Sequence, residues 1–321
     1  MTNNNSFKIN LTSKVPFRIL SFLLLLVFVT SCEDIIDVEL EEDEAQLVVD
    51  AWINDKSETQ VIKLRRTSPY FDSTPSPAVT GATVAVAIVN DLTDIDTIYF
   101  TDDNNDGNYT WTPAAGETFG VVGKTHVLGI ELDGDQYFSV SEMTRPTPID
   151  SIGYEYEEES LGSPEGIYAQ VYATDPIGMG DASWIKSFKN NQFLNKAQEL
   201  NIAFDGGFGP SEENDGILFL PPIRELINRI PDFGDDAIDD GDIPPWAVGD
   251  TVRVETHSLT PEAFYYLFEL KLQMTSGDAG IFSTPITNVP TNIFPTEDGA
   301  KENPIGFFCV SSVSVKEREI E

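Results

Sequence analysis

From Leu47 onward, apolar and polar residues alternate in short runs separated by Gly, Pro, Asn and Asp. A period of two places alternate side chains on opposite faces, which is the signature of a half-buried strand. Up to residue 145 such runs occupy 47–53, 60–65, 83–89, 96–100, 108–112, 125–132 and 136–143. Residues 83–89 alternate large and small apolar side chains, as suits a strand packed on one face and partly covered on the other. Asn104-Asn105-Asp106-Gly107 and Asp133-Gly134-Asp135 predict hairpin turns, because these residues tolerate positive φ.

Arg145-Pro146-Thr147-Pro148 predicts an extended boundary, since the residue before a proline avoids the helical region. Beyond it, strands are expected at 151–157, 167–174 and 183–189, and residues 190–250 are expected to form long loops rich in Gly, Pro and Asp. One helix is predicted near 260–275. Thr260 caps it, Pro261 takes the first helical position, Glu262 complements the dipole, and Phe264, Leu267, Phe268 and Leu272 recur at helical spacing. That stripe is expected to pack the helix on a sheet. A single strand is expected over 306–315. The fold class is therefore mainly β, with two β-sandwich-like domains. The first, over 47–145, is Ig-like or carboxypeptidase-regulatory-like; the second, over 146–321, carries the amphipathic helix.

The first 31 residues follow another logic. Lys8, Lys14 and Arg18 precede the apolar run 19–29, and no acid occurs before Glu33. The run is shorter than the roughly 20 residues a membrane-spanning helix needs and reads as a signal peptide. It ends in Val29-Thr30-Ser31-Cys32, which resembles a bacterial lipobox. Cleavage would leave Cys32 first, with its sulfur as the nucleophile for lipidation. Each buried methylene of an attached chain adds about 0.8 kcal/mol of membrane affinity, so two or more chains anchor stably. Residues 32–46 hold Glu33, Asp34, Asp37, Glu39, Glu41, Glu42, Asp43 and Glu44 and are expected to form a solvated tether. Extended, residues 33–46 reach about 46 Å at about 3.3 Å per residue. The expected address is the outer membrane, with the chain held in its lipid by acylated Cys32 and facing the cell surface.

The chain has 321 residues, with 19 Lys and Arg against 54 Asp and Glu, for a formal charge of −35. This balance argues against a nucleic-acid partner, which needs clustered Lys and Arg. Cys309, in an apolar run, is expected to be a buried and inert thiol. His126 and His257 lack an accompanying Gly-x-Ser-x-Gly or His-Glu-x-x-His motif and are expected to be structural. No catalytic signature is present, and the expectation is a non-enzyme.

Calcium is the one cofactor the residues suggest, and none is required. Asp102, Asn104 and Asp106 with Gly107 match the first half of a calcium loop, but its twelfth position is Pro113 instead of Glu. The full loop is therefore absent, and an Asx-rich hairpin turn is the expected reading. Asp235, Asp236, Asp239 and Asp240, flanked by Asp232 and Asp242, form a second acidic cluster that would accept a divalent cation. Tyr70, Phe71 and Trp246, each close to Pro or Asp, are candidate ligand contacts on loops.

Several stretches, in order, resemble the Bacteroidota lipoprotein family catalogued as domain of unknown function 4249. They are Cys32-Glu33-Asp34, residues 47–53, Ser68-Pro69-Tyr70-Phe71-Asp72, Val79-Thr80-Gly81-Ala82-Thr83-Val84 and Gly123-Lys124-Thr125. Pro148-Ile149-Asp150-Ser151-Ile152, Phe233-Gly234-Asp235-Asp236, Gly249-Asp250-Thr251-Val252, Thr291-Asn292-Ile293 and Gly306-Phe307-Phe308 follow. The resemblance implies an outer-membrane lipoprotein beside a TonB-dependent receptor and implies no reaction or catalytic residues. At His126 the chain departs from the Tyr expected in that strand. The functional expectation is an accessory lipoprotein in substrate capture or transporter assembly. A surface hydrolase acting on glycan or peptide and a calcium-dependent adhesion module are the alternatives.

Overall fold

Strands form where the alternation predicts them, because each buries one face against a second layer. The computed structural model describes residues 45–69, 74–91, 93–158, 165–207, 214–219, 227–228, 245–275, 289–296 and 303–321. In it β1 (Leu47–Asn54) and β2 (Gln60–Arg66) bury every second residue. The following strands are β3 (Thr83–Asp91), β4 (Asp94–Phe100), β5 (Asn108–Trp111), β6 (Thr125–Leu132) and β7 (Asp135–Glu142). The second half supplies β8 (Ile149–Glu157), β9 (Gly166–Ala173), β10 (Ala182–Lys189), β11 (Gln192–Phe193), β12 (Asn201–Phe204) and β13 (Thr251–Leu259). Helix α1 (Pro261–Thr275), β14 (Phe294–Pro295), β15 (Ile305–Ser311) and β16 (Val313–Glu319) complete the described elements.

Two sheets form the first sandwich, ordered β15-β1-β2-β5 and β14-β7-β6-β3-β4. Leu47, Val49, Ile62, Leu64 and Tyr109 of one meet Val84, Val86, Leu128, Ile130 and Tyr137 of the other in a single core. Full burial of each such side chain stabilises by roughly 1.5–3 kcal/mol. Asp133 and Gly134 turn the β6–β7 hairpin at φ of 53° and 90°, as their residue types predict.

The second sheet is ordered β11-β10-β13-β16, with β12 also paired to β10. The β8–β9 hairpin covers one face, where Ile152, Ala169 and Val171 meet Ile185, Val252 and Val254. Helix α1 covers the other with Ala263, Phe264 and Leu267. Its cap forms as expected, the Ala263 N–H donating to Thr260 Oγ1 at 3.2 Å.

The strands before 145 build the first sandwich, but β14 and β15 return to it from the far end of the chain before β16 leaves it again. β15 pairs in parallel with β1, far back in sequence. Its Phe308 and Val310 enter the first core while Phe307 and Cys309 enter the helix-covered one. A strand whose two faces both enter apolar cores reads as a near-continuous apolar run, as in Phe307-Phe308-Cys309-Val310. Gly306, at φ 105°, permits the approach, since a Cβ there would lie 2.0 Å from the Val49 carbonyl oxygen. Residues 44–321 thus form one compact unit.

Three sequence expectations need correction. The single strand expected over 306–315 is two: at Ser312 the chain leaves the β1 sheet and joins β13 as β16. Asp55 holds this switch, accepting from the Ser312 hydroxyl and from the Val313 N–H at 2.9 Å. The interval 190–250, expected to be loop, contributes β11 and β12. The central strand β13 was not expected at all. The connector is pinned as well as extended: the Ser258 hydroxyl donates to the Thr144 carbonyl at 2.8 Å and the Thr256 hydroxyl to the Thr147 carbonyl.

Candidate functional site

Among the described residues, those nominated from sequence are not brought together into one site. Asp102 and Asp106 serve the turn they sit in. Both oxygens of Asp102 accept backbone N–H groups, from Asp106 and Gly107 at 3.0 Å each, and Asp106 Oδ1 accepts from the Asn108 N–H at 3.0 Å. Asn104 lies exposed in the same turn. Trp246 is corrected from loop contact to core: it is buried beside Phe219 and Ile227, with the Lys189 ammonium 5.5 Å from its ring centre. Cys32, Tyr70, Phe71, Asp235, Asp236, Asp239 and Asp240 lie outside the described residues.

The two histidines and Cys309 are interior groups. His126 on β6 is fully buried beside Phe119, neither ring nitrogen has a hydrogen-bond partner, and burial pulls its pKa down to about 4. Cys309 is fully buried, and burial pushes its thiol up to about 11. His257 on β13 is held to about 4 by burial and by the charge of Lys186. The neutral ring donates from Nε2 to Glu255 Oε2 at 2.9 Å.

Glu255 is the centre of a charged network on β13. It accepts from Lys56 at 2.9 Å and pairs with Arg253. Burial opposes its charge, but the hydrogen bonds from His257 and Lys56 outweigh burial and hold the carboxyl down at about 2. On the neighbouring strand, Lys186 lies over Trp184, 3.9 Å from the ring centre, and burial lowers its ammonium to about 8. Trp184 packs edge-on against Trp52 at 5.4 Å, and Trp52 stacks on Phe307 at 5.7 Å. The network ties β13 to the first sandwich through Lys56.

A second polar cluster lies where the connector meets the ends of β9, β10 and β12. Asp175, Asp181 and Asp205 each offer a carboxylate oxygen within 4.8 Å of the others, and all three are buried. Among the described residues no other group of three acidic, His or Cys side chains converges in this way. The backbone builds it. Asp205, at φ 47°, accepts on Oδ1 from the Gly180 and Asp181 N–H groups at 2.8 and 3.0 Å. Asp175 Oδ2 accepts from the Gly216 N–H at 2.9 Å. Asp215 accepts from the Gly178 N–H at 2.7 Å. Arg145, the last residue before the connector prolines, donates through Nε to Asp181 Oδ1 at 2.8 Å and through Nη2 to the other oxygen. The same Nη2 also reaches the carbonyls of residues 176–178.

Two oxygens remain. Asp175 Oδ1 and Asp205 Oδ2 are buried without a hydrogen-bond partner, on residues each 2% exposed. Two like charges 4 Å apart repel by about 4 kcal/mol at an effective dielectric of about 20. Burial, then the charges of Asp181, Asp205 and Asp215, push the Asp175 carboxyl up to about 6. This cluster was missed from sequence because 54 acids mask any three of them. The signal that could have found it is Asp at three strand ends, each close to Gly: Asp175 before Gly178, Asp181 after Gly180, and Asp205 before Gly206-Gly207.

Compared with known families, residues 33–317 match the one described as Domain of unknown function (DUF4249). No curated protein matches the chain.

Proposed function

The chain belongs to the family described as Domain of unknown function (DUF4249), and from that premise we propose that it is a lipid-anchored, non-catalytic accessory protein of the outer membrane. It works beside a TonB-dependent receptor in substrate capture or transporter assembly. The observation that carries this reading is the basic and apolar leader ending in Val29-Thr30-Ser31-Cys32, followed at once by an acidic segment. Of the two cysteines in the chain, Cys309 is sealed in the interior, which leaves Cys32 to a modifying enzyme. Acyl chains on Cys32 hold the protein at the membrane, and the tether gives it reach. Confinement beside a receptor raises the effective concentration, so weak contacts suffice. The histidines support the same reading, since both are buried and neutral near pH 7 and one is committed to a structural ion network.

The test is made in the producing bacterium. Growth with an alkyne-tagged fatty acid should label the wild-type chain, and Cys32→Ala should abolish the label and release the protein from the membrane fraction. Protease added to whole cells should digest the labelled form. Mild cross-linking followed by solubilisation should recover an outer-membrane β-barrel receptor. A native chain that is unlabelled and still carries residues 1–31 removes the anchor. A labelled chain that recovers no envelope protein removes the receptor role.

A further inference from the structure

We propose that Asp175, Asp181 and Asp205 hold one calcium ion, which fastens the 174–181 loop and the Asp205 turn against Arg145 at the connector between the two main cores. The inference does not depend on lipidation or on a receptor. It rests on two independent features. The first is three buried carboxylates converging within 4.8 Å. The second is a pair of buried oxygens, Asp175 Oδ1 and Asp205 Oδ2, that find no hydrogen-bond partner among the described residues although the other oxygen of each carboxylate accepts from backbone N–H groups. Buried oxygens without donors are uncommon and call for a ligand that supplies positive charge.

The donor set selects the ion. Only oxygens converge, so a hard cation is favoured over zinc or copper, which prefer nitrogen and sulfur. Calcium binds oxygen at about 2.3–2.6 Å, so ligands on opposite sides of it stand about 5 Å apart, and the 4.8 Å limit fits within that sphere. Calcium also accepts the irregular geometry of ligands drawn from three strand ends. Magnesium demands near-octahedral geometry at about 2.0–2.1 Å, a tighter fit than carboxylates drawn from three separate strand ends and spread over as much as 4.8 Å favour.

The charge balance points the same way. Among the described residues, Arg145 is the one cation paired into the cluster and is committed to Asp181, while Asp215 adds a further negative charge at the loop. Arg145 holds the carbonyls of residues 176–178, and Asp205 takes the N–H groups of Gly180 and Asp181. An ion bridging Asp175 and Asp205 would therefore close the loop at both ends.

The experiment uses the purified full chain, treated with EDTA and exchanged into calcium-free buffer at pH 7.5. Thermal unfolding and calorimetric titration are then followed with calcium chloride and, separately, magnesium chloride. Calcium at about 100 times its Kd should raise Tm by roughly 5 °C or more. Asp175→Asn is the informative variant, because its amide keeps the acceptor for the Gly216 N–H and removes a repelled charge. In EDTA it should melt no lower than wild type, and its calcium response should be lost. Asp102→Asn, at the turn nominated from sequence, should keep the full response. Absence of any calcium shift or binding heat in the wild type would overturn the proposal, as would an undiminished response in Asp175→Asn. A shift with magnesium but not calcium would overturn the choice of ion. A wild-type Tm that rises between pH 8 and 5.5 in EDTA and is indifferent to calcium at pH 7.5 would assign the cluster to a shared proton instead.

Discussion

Strand β15 offers a direct test of how the two main cores are coupled. Phe308 is fully buried in the first sandwich, and its neighbour Phe307, 4% exposed, is buried in the helix-covered core. Truncating a buried Phe to Ala removes the transfer energy of the ring and leaves a cavity, at a cost of about 3–5 kcal/mol. Phe307 also lies 4.6 Å from Tyr266 and 5.7 Å from Trp52, and each ring pair adds about 0.5–1.5 kcal/mol. At roughly 2–4 °C per kcal/mol for a unit of this order of size, each variant should lose about 6–20 °C in Tm. The two substitutions lie on opposite faces of one strand, so both should lower the same single transition. Differential scanning calorimetry measures this, and tryptophan fluorescence checks it. Trp111 packs on Phe119 in the first core, whereas Trp52 and Trp184 report on the other. If Phe308→Ala produced an early transition and left a second one at the wild-type temperature, the coupling argued from β15 would be wrong.

Two further outcomes follow from the buried groups. Glu255 is held at about 2 in the fold against an ordinary 4.5, so its contribution is complete above pH 4.5 and is lost as pH falls toward 2. At 1.36 kcal/mol per pH unit this amounts to about 3 kcal/mol. Urea titrations should show that acid slope, and Glu255→Gln should flatten it while costing about 3–5 kcal/mol at pH 7; an unchanged slope would show that another carboxylate carries it. Cys309, raised to about 11 by burial, should resist a thiol reagent at pH 8 until the protein unfolds. Stoichiometric labelling of the native fold would mean that the β15 layer opens in solution.

Much of the first sandwich was legible because half-buried strands advertise themselves by alternation. Residues 47–53, 60–65 and 125–132 each bury one face only, and hairpin turns at Asp133-Gly134 require residues that accept positive φ. The helix was equally plain, since its cap and first-turn residues act locally. β13 was not legible. Its second face carries Arg253, Glu255 and His257, which look solvent-facing in sequence; Glu255 and His257 are buried, and Lys56, from the turn between β1 and β2, pairs with Glu255. The Asp102 turn illustrates the converse: acids spaced like cation ligands can be consumed by their own backbone.

Sequence alone determined most of the local elements, because periodicity and turn chemistry are properties of neighbouring residues. Tertiary structure decided the return of β15 to β1, the change of sheet at Ser312, and the meeting of Asp175, Asp181 and Asp205. Each of these depends on which distant strands pair and where their ends meet. Glu255 is buried as well, so it is convergence at strand ends, not burial or spacing along the chain, that sets these three apart.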